Sequence, residues 1–143
     1  DVAAFLGAEG GDGRLKAERA LLATALDDLR AMIDVLTGHV EAAAEEPARI
    51  HRAAAHSVRL LMALGELLVG WLLLRRARVA LAVLDAAPEA SGAARTAADR
   101  AFYEGKVGVA RFFAATRLPL LSAERAVVEA ADDHLMELDE AAF

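Results

Sequence analysis

The chain has 143 residues and a mass of 15.1 kDa, enough for one domain with its own core. Alanine (36) and leucine (22) dominate, isoleucine occurs twice and aromatics make up 5%, which favours an all-α chain and rules against a β-sandwich or barrel. The absence of cysteine excludes disulfides, thiol catalysis and Cys-based zinc sites, and the net charge of −6 argues against a nucleic-acid partner.

Residues 1–14 hold four of the ten glycines, Gly7, Gly10, Gly11 and Gly13, and read as a linker or loop before a single helical domain over 15–143. Opening on Asp1 rather than methionine, the chain is expected to be a piece of a longer polypeptide or one trimmed at its start, and no secretory signal is visible. A first helix is expected over about 15–44. From Leu22 its apolar residues step to Leu26, Leu29, Ile33, Leu36 and Val40, one seam along a helix.

Glu45, Glu46 and Pro47 punctuate the chain, with Pro47 suited to the first turn of the next helix. That second helix is expected over about 47–86. Its middle is apolar on nearly every side, which predicts the central, most buried helix, with Gly65 and Gly70 allowing a bend or a close contact. Val58 to Leu74 approaches the shortest membrane-spanning length, but Glu66 sits at its centre and Arg59, Arg75, Arg76 and Arg78 flank it. A soluble buried helix is therefore expected, and no membrane span.

Residues 87–93 form the next break. A third helix is expected over about 94–118, with Phe102, Val109, Phe112, Phe113 and Thr116 marking its buried side, Tyr103 and Val107 beside them, and Pro119 ending or kinking it. A fourth should cover about 121–138, with Val127, Val128, Ala131, Leu135 and Leu138 inward, and Phe143 is a residue suited to docking. Four helices with short connections, the first three long, predict an antiparallel up-down bundle.

Reactive constellations are scarce. His51 and His56 lie about 140° apart around a helix, so they share no face. Glu41 and Glu45 share a face near His39, where a solvated acidic helix end is the simpler reading than a metal site. The Gly10–Gly13 segment fits no phosphate-loop spacing, and Ser57, Ser91 and Ser122 sit in no nucleophile elbow. The acid pairs Asp27/Asp28 and Asp132/Asp133 read as surface groups. Glu66 stands in the most apolar stretch. It is either a buried base or, as the better-supported reading, the partner of a cation from another helix, with Lys106, Arg111 and His56 as candidates. The stretch from Phe102 to Phe113 is either a ligand wall or, more ordinarily, core. No residue is singled out as catalytic, cofactor-binding or metal-ligating.

Three segments carry a family resemblance: Leu60–Leu84 with Gly70-Trp71, Phe102–Phe113 followed by Leu118-Pro119, and Leu135–Phe143. The FY-x-GK-x-x-x-ARFF pattern of the second is the most specific. In order and spacing they resemble the C-terminal helical extension domain of bacterial acyl-CoA dehydrogenases, nearest to a 3-methylmercaptopropionyl-CoA dehydrogenase-like subgroup. The resemblance implies a cytoplasmic FAD-dependent parent that oxidises an acyl-CoA to the trans-2-enoyl-CoA, using a glutamate base and flavin contacts in a preceding core. None of those residues is carried by this segment, which implies a non-catalytic accessory domain. Its implied partners are the dehydrogenase core, further copies in a homo-oligomer, and the acyl-CoA of the parent. The alternative is a stand-alone helical interaction module; a ligand pocket inside the bundle is opposed by the low polar and aromatic content of the expected core.

Overall fold

The computed structural model describes residues 2–7, 13–86, 96–134 and 136–142. All regular structure among them is helical: α1 (Val2–Gly7), α2 (Lys16–Ala42), α3 (Arg49–Asp85), α4 (Ala97–Thr116), α5 (Leu120–Glu129) and a single 3-10 turn, Glu140–Ala142. Four of these helices reach ten residues or more, and they form the all-α bundle expected from composition.

The linker expectation is corrected over Val2–Gly7, which is a short helix. Six residues cannot hold a helix unaided. Here tertiary contacts hold it. Phe5 is buried between the guanidinium groups of Arg19 and Arg78, 5.4 and 5.2 Å from its ring centroid. Arg19 also donates to the carbonyls of Phe5 and Leu6, at 3.0 and 2.7 Å, giving partners to acceptors that a helix end leaves open. Gly13 then turns the chain at φ +79°, a conformation that favours glycine, and its carbonyl accepts the Lys16 N–H at 3.0 Å as α2 begins. Gly10 and Gly11 lie outside the described residues, as do 87–95.

At the start of α4, the Thr96 hydroxyl accepts from the Asp99 N–H at 3.1 Å and the Asp99 carboxylate accepts from the Thr96 N–H at 3.0 Å. This capping box satisfies two otherwise open donors. Pro119, which has no N–H, separates α4 from α5. The last helix ends at Glu129, nine residues before the expected Leu138. Beyond it, Leu138 is half-exposed rather than inward. Leu135 and Phe143 lie outside the described residues.

The core joins Leu22, Ala25, Leu29, Met32 and Leu36 of α2 to Leu67, Leu74 and a run of small residues on α3, and to Val107, Ala110, Ala114, Leu118, Leu121 and Val128. On α2 the expected seam is right at Leu22, Leu29 and Leu36. Ile33 and Val40 face outward, and Ala25 and Met32 take their place.

The expectation for α3 needs a larger correction. It is not buried on all sides. Its inner face is Ala63, Leu67, Gly70, Leu74, Ala77 and Ala80, mostly small residues that permit close approach. At Gly70 an added Cβ would lie 2.9 Å from a methyl carbon of Leu118. The same small-residue packing reverses the expected orientation of α4. Val107, Ala110 and Ala114 are buried and the expected Phe113 packs partly buried against the core, whereas Phe102, Val109, Phe112 and Thr116 are exposed.

Candidate docking interface

Opposite the small inner face of α3 runs a second apolar seam. Val58, Leu61, Met62, Leu68, Val69 and Leu72 lie on it, with Gly65 in the same row, and all are exposed. Val58 exposes 69% of its surface and Leu61 64%. The row advances by alternating steps of three and four residues, the spacing of a face that a partner helix covers. It is unbroken by charge from Val58 to Leu72 because Arg59 and Glu66 turn to the side.

Those two charges explain the shape of the seam. Glu66 pairs with Arg117 at the end of α4, and Arg59 pairs with Glu124 on α5. One heptad earlier on α3, Arg52 donates to Asp133 at 2.8 Å. Positions fall along α3 as they rise from Arg117 through Glu124 to Asp133, so one row of pairs clips α3 to α5 and the residues flanking it. At the other end, Arg14 before α2 pairs with Asp85 at the end of α3. The clips form one wall of a shallow groove of about 360 Å³, in which Val58, Met62 and Leu120 are the large apolar members.

Glu66 is bonded by Arg117, not by Lys106, Arg111 or His56, and it contributes to the wall of the groove. Glu41 and Glu45 are exposed. Burial pushes the neighbouring His39 imidazole below its ordinary value, and the guanidiniums of Arg52 and Arg49 add to the shift. The hydrogen bond from Arg52 holds the Asp133 carboxyl below the usual range, against an opposing effect of burial. Among the described residues, no group of three or more His, Asp or Glu side chains is placed to hold a metal ion.

The surface reading of the acid pairs fails at Asp28. It is buried on α2, accepts the Ser122 hydroxyl at 2.6 Å, and is reached by Arg125 at 3.3 Å. Both donors come from α5, so Asp28 is a polar tie between two helices. Its position between Ala25 and Leu29, on the buried side of α2, was the available signal. Ser57 donates to the Ala54 carbonyl within its own helix.

Among the described residues, no constellation of nucleophile, base and orienting acid emerges from these placements. What the geometry offers is a large apolar surface with ordered charges along its edge, a feature that marks contact sites. The sequence profile of the acetyl-CoA dehydrogenase C-terminal-like family matches residues 1–139.

The chain belongs to that family.

A member of the wider enzyme group, the broad-specificity linear acyl-CoA dehydrogenase FadE5 of Mycobacterium tuberculosis, is 51% identical over 139 residues. The match covers 97% of this chain and 22% of that protein. The chain thus spans less than a quarter of this relative's length, and it corresponds to a C-terminal accessory domain of an acyl-CoA dehydrogenase.

Proposed function

We propose that this domain is the accessory part of an FAD-dependent acyl-CoA dehydrogenase and docks on the dehydrogenase core through the outer seam of α3, supporting contacts between subunits. The parent oxidises an acyl-CoA to the trans-2-enoyl-CoA in the cytoplasm. The base and the flavin contacts belong to the core, and this domain adds no catalytic residue. When bound there, FAD accepts the hydride removed from the acyl chain.

The observation that carries this reading is the seam itself. Covering the exposed half of a Val, Leu or Met side chain adds about 1 kcal/mol, so six such residues supply several kcal/mol before the costs of docking. Because core and domain share one polypeptide, those costs are smaller than for separate molecules. The charge placement agrees. Arg59 and Glu66 are already paired within the domain, so a cover over the seam leaves no bare charge behind. α3 is also long and apolar enough by length and composition to cross a bilayer. Spanning would strip Arg59 and Glu66 of Glu124 and Arg117 or drag those residues in as well, which disfavours that use of the seam.

The test uses the cysteine-free character of this segment. In the complete polypeptide, Leu61→Cys and Leu68→Cys are labelled with a maleimide and the rates are read peptide by peptide. Thr24→Cys, an exposed position on α2, is the reference. Docking predicts labelling at least about tenfold slower at 61 and 68 than at 24. Equal rates remove the docking claim. Failure of the complete polypeptide to reduce a flavin-linked electron acceptor with any acyl-CoA removes the dehydrogenase claim.

A further inference from the structure

A cavity of about 630 Å³ opens between α3 and α4 where the outer seam ends. Its size falls within the range of small-molecule sites, roughly 300–1,000 Å³. Arg75, Arg76, Arg78 and Lys106 line it together with Phe102 and Tyr103, and none of its described lining residues is acidic. The chain as a whole has 22 acidic residues against 16 basic ones, so four cations without a carboxylate concentrate positive potential against the overall balance.

Partner use elsewhere in the molecule sets this cluster apart. The other described arginines each donate to a carboxylate or a backbone carbonyl. Arg75, Arg76 and Arg78 have no oxygen partner among the described residues. Two of them rest on aromatic rings instead. Arg75 lies 5.1 Å over Trp71 and Arg78 5.2 Å over Phe5. These contacts hold the guanidinium groups in place while leaving their N–H donors open. Lys106 lies 4.6 Å over Phe102, whose ring meets Tyr103 edge-on at 5.4 Å and is more than half exposed.

Unbonded guanidinium forks suit phosphate oxygens, which they bind two at a time. An exposed aromatic face beside them suits a purine base, which stacks without needing specific hydrogen bonds. A carboxylate from a docking protein would use the cations but would leave the Phe102 ring unused. We infer that this pocket holds the nucleotide end of a coenzyme A thioester, with phosphates on the arginine cluster and the adenine on Phe102. The choice of coenzyme A among nucleotides rests on the dehydrogenase reading above; the presence of a nucleotide site does not. The pocket continues the docking seam through Leu72 and Val79, so a thioester reaching from core to domain would cross their junction.

The test compares the complete polypeptide with its Arg76→Ser/Lys106→Ser variant. Arg76 has no oxygen partner to lose among the described residues, so the variant's melting temperature is expected to match wild type. The KM for an acyl-CoA should rise about tenfold or more at unchanged kcat. The KM for the acyl-pantetheine, which lacks the nucleotide, should not move. The conservative Arg76→Lys/Lys106→Arg variant should recover most of the loss. An acyl-CoA KM within twofold of wild type overturns the inference, and so does an equal rise for both thioesters, which would signal a structural effect. Loss of bound FAD at unchanged KM assigns the pocket to the flavin's diphosphate and refutes the coenzyme A assignment. If the polypeptide oxidises no acyl-CoA, calorimetric titration with coenzyme A and with ADP still decides the site. Binding that the double variant abolishes supports it, and no binding refutes it. Should the double variant not fold, Arg76→Ser and Lys106→Ser are measured singly to the same criteria.

Discussion

Two leucines of α3 provide the sharpest test of its two-faced character. Leu74 is fully buried on the inner face, and Leu61 is 64% exposed on the outer one. Both lie well inside the helix, and both become alanine. Leu74→Ala removes a side chain packed on all sides and leaves a cavity. Its expected cost is about 3 kcal/mol. Leu61→Ala loses only the third of its surface that is covered, about 0.7 kcal/mol from a full burial of roughly 2 kcal/mol. The slightly better helix propensity of alanine returns a few tenths, so the net cost is about 0.5 kcal/mol. Urea unfolding of the 143-residue chain, followed by helical circular dichroism, reads both values from the shift in midpoint at constant slope. A ratio of about six between the two is expected. Equal costs would mean that α3 is covered on both faces and would refute the reasoning.

Other consequences follow from the same geometry. His39 has a lowered folded-state value, so the unfolded chain takes up its proton first; stability should fall as pH drops below about 6.5, and His39→Gln should flatten that part of the thermal-melt profile. Asp133 has a depressed value too, so its contribution should persist through that range and fade only below the ordinary carboxylate range, where Asp133→Asn becomes neutral to melting. Gly65→Ala meets nothing within 4 Å and should raise the melting temperature by the equivalent of about 0.5–1 kcal/mol, whereas Gly70→Ala should lower it because the new Cβ would press on the buried Leu118 at 2.9 Å. Glu66→Gln weakens a pair whose arginine is half exposed, so it should cost under about 1 kcal/mol and leave acyl-CoA oxidation by the complete polypeptide within twofold of wild type; abolished oxidation at unchanged stability would make Glu66 a functional acid.

Composition and periodicity by themselves determined the class of the fold and most of the helix positions. Alanine and leucine in long runs permit little else, and Pro119 stops a helix because it lacks a donor. The family resemblance was legible as well, in the spacing around Phe102–Phe113 and Gly70-Trp71. Partner choice was not. Glu66 had several cations within plausible reach in sequence, and only the stacking of α4 on α3 selects Arg117. Asp28 looked like half of a surface pair until α5 brought Ser122 to it.

The direction each face points was likewise decided by tertiary structure alone. On α3 and α4 both faces are apolar, so a rule that puts large side chains inside favours Phe102, Val109 and Phe112. The packed helices choose otherwise. Gly70, Ala77, Ala110 and Ala114 let backbones approach closely, and that contact pushes the larger side chains outward. Hydrophobic periodicity measures how much of a helix seeks cover; which neighbour covers which face depends on shape, and shape exists only once the helices meet.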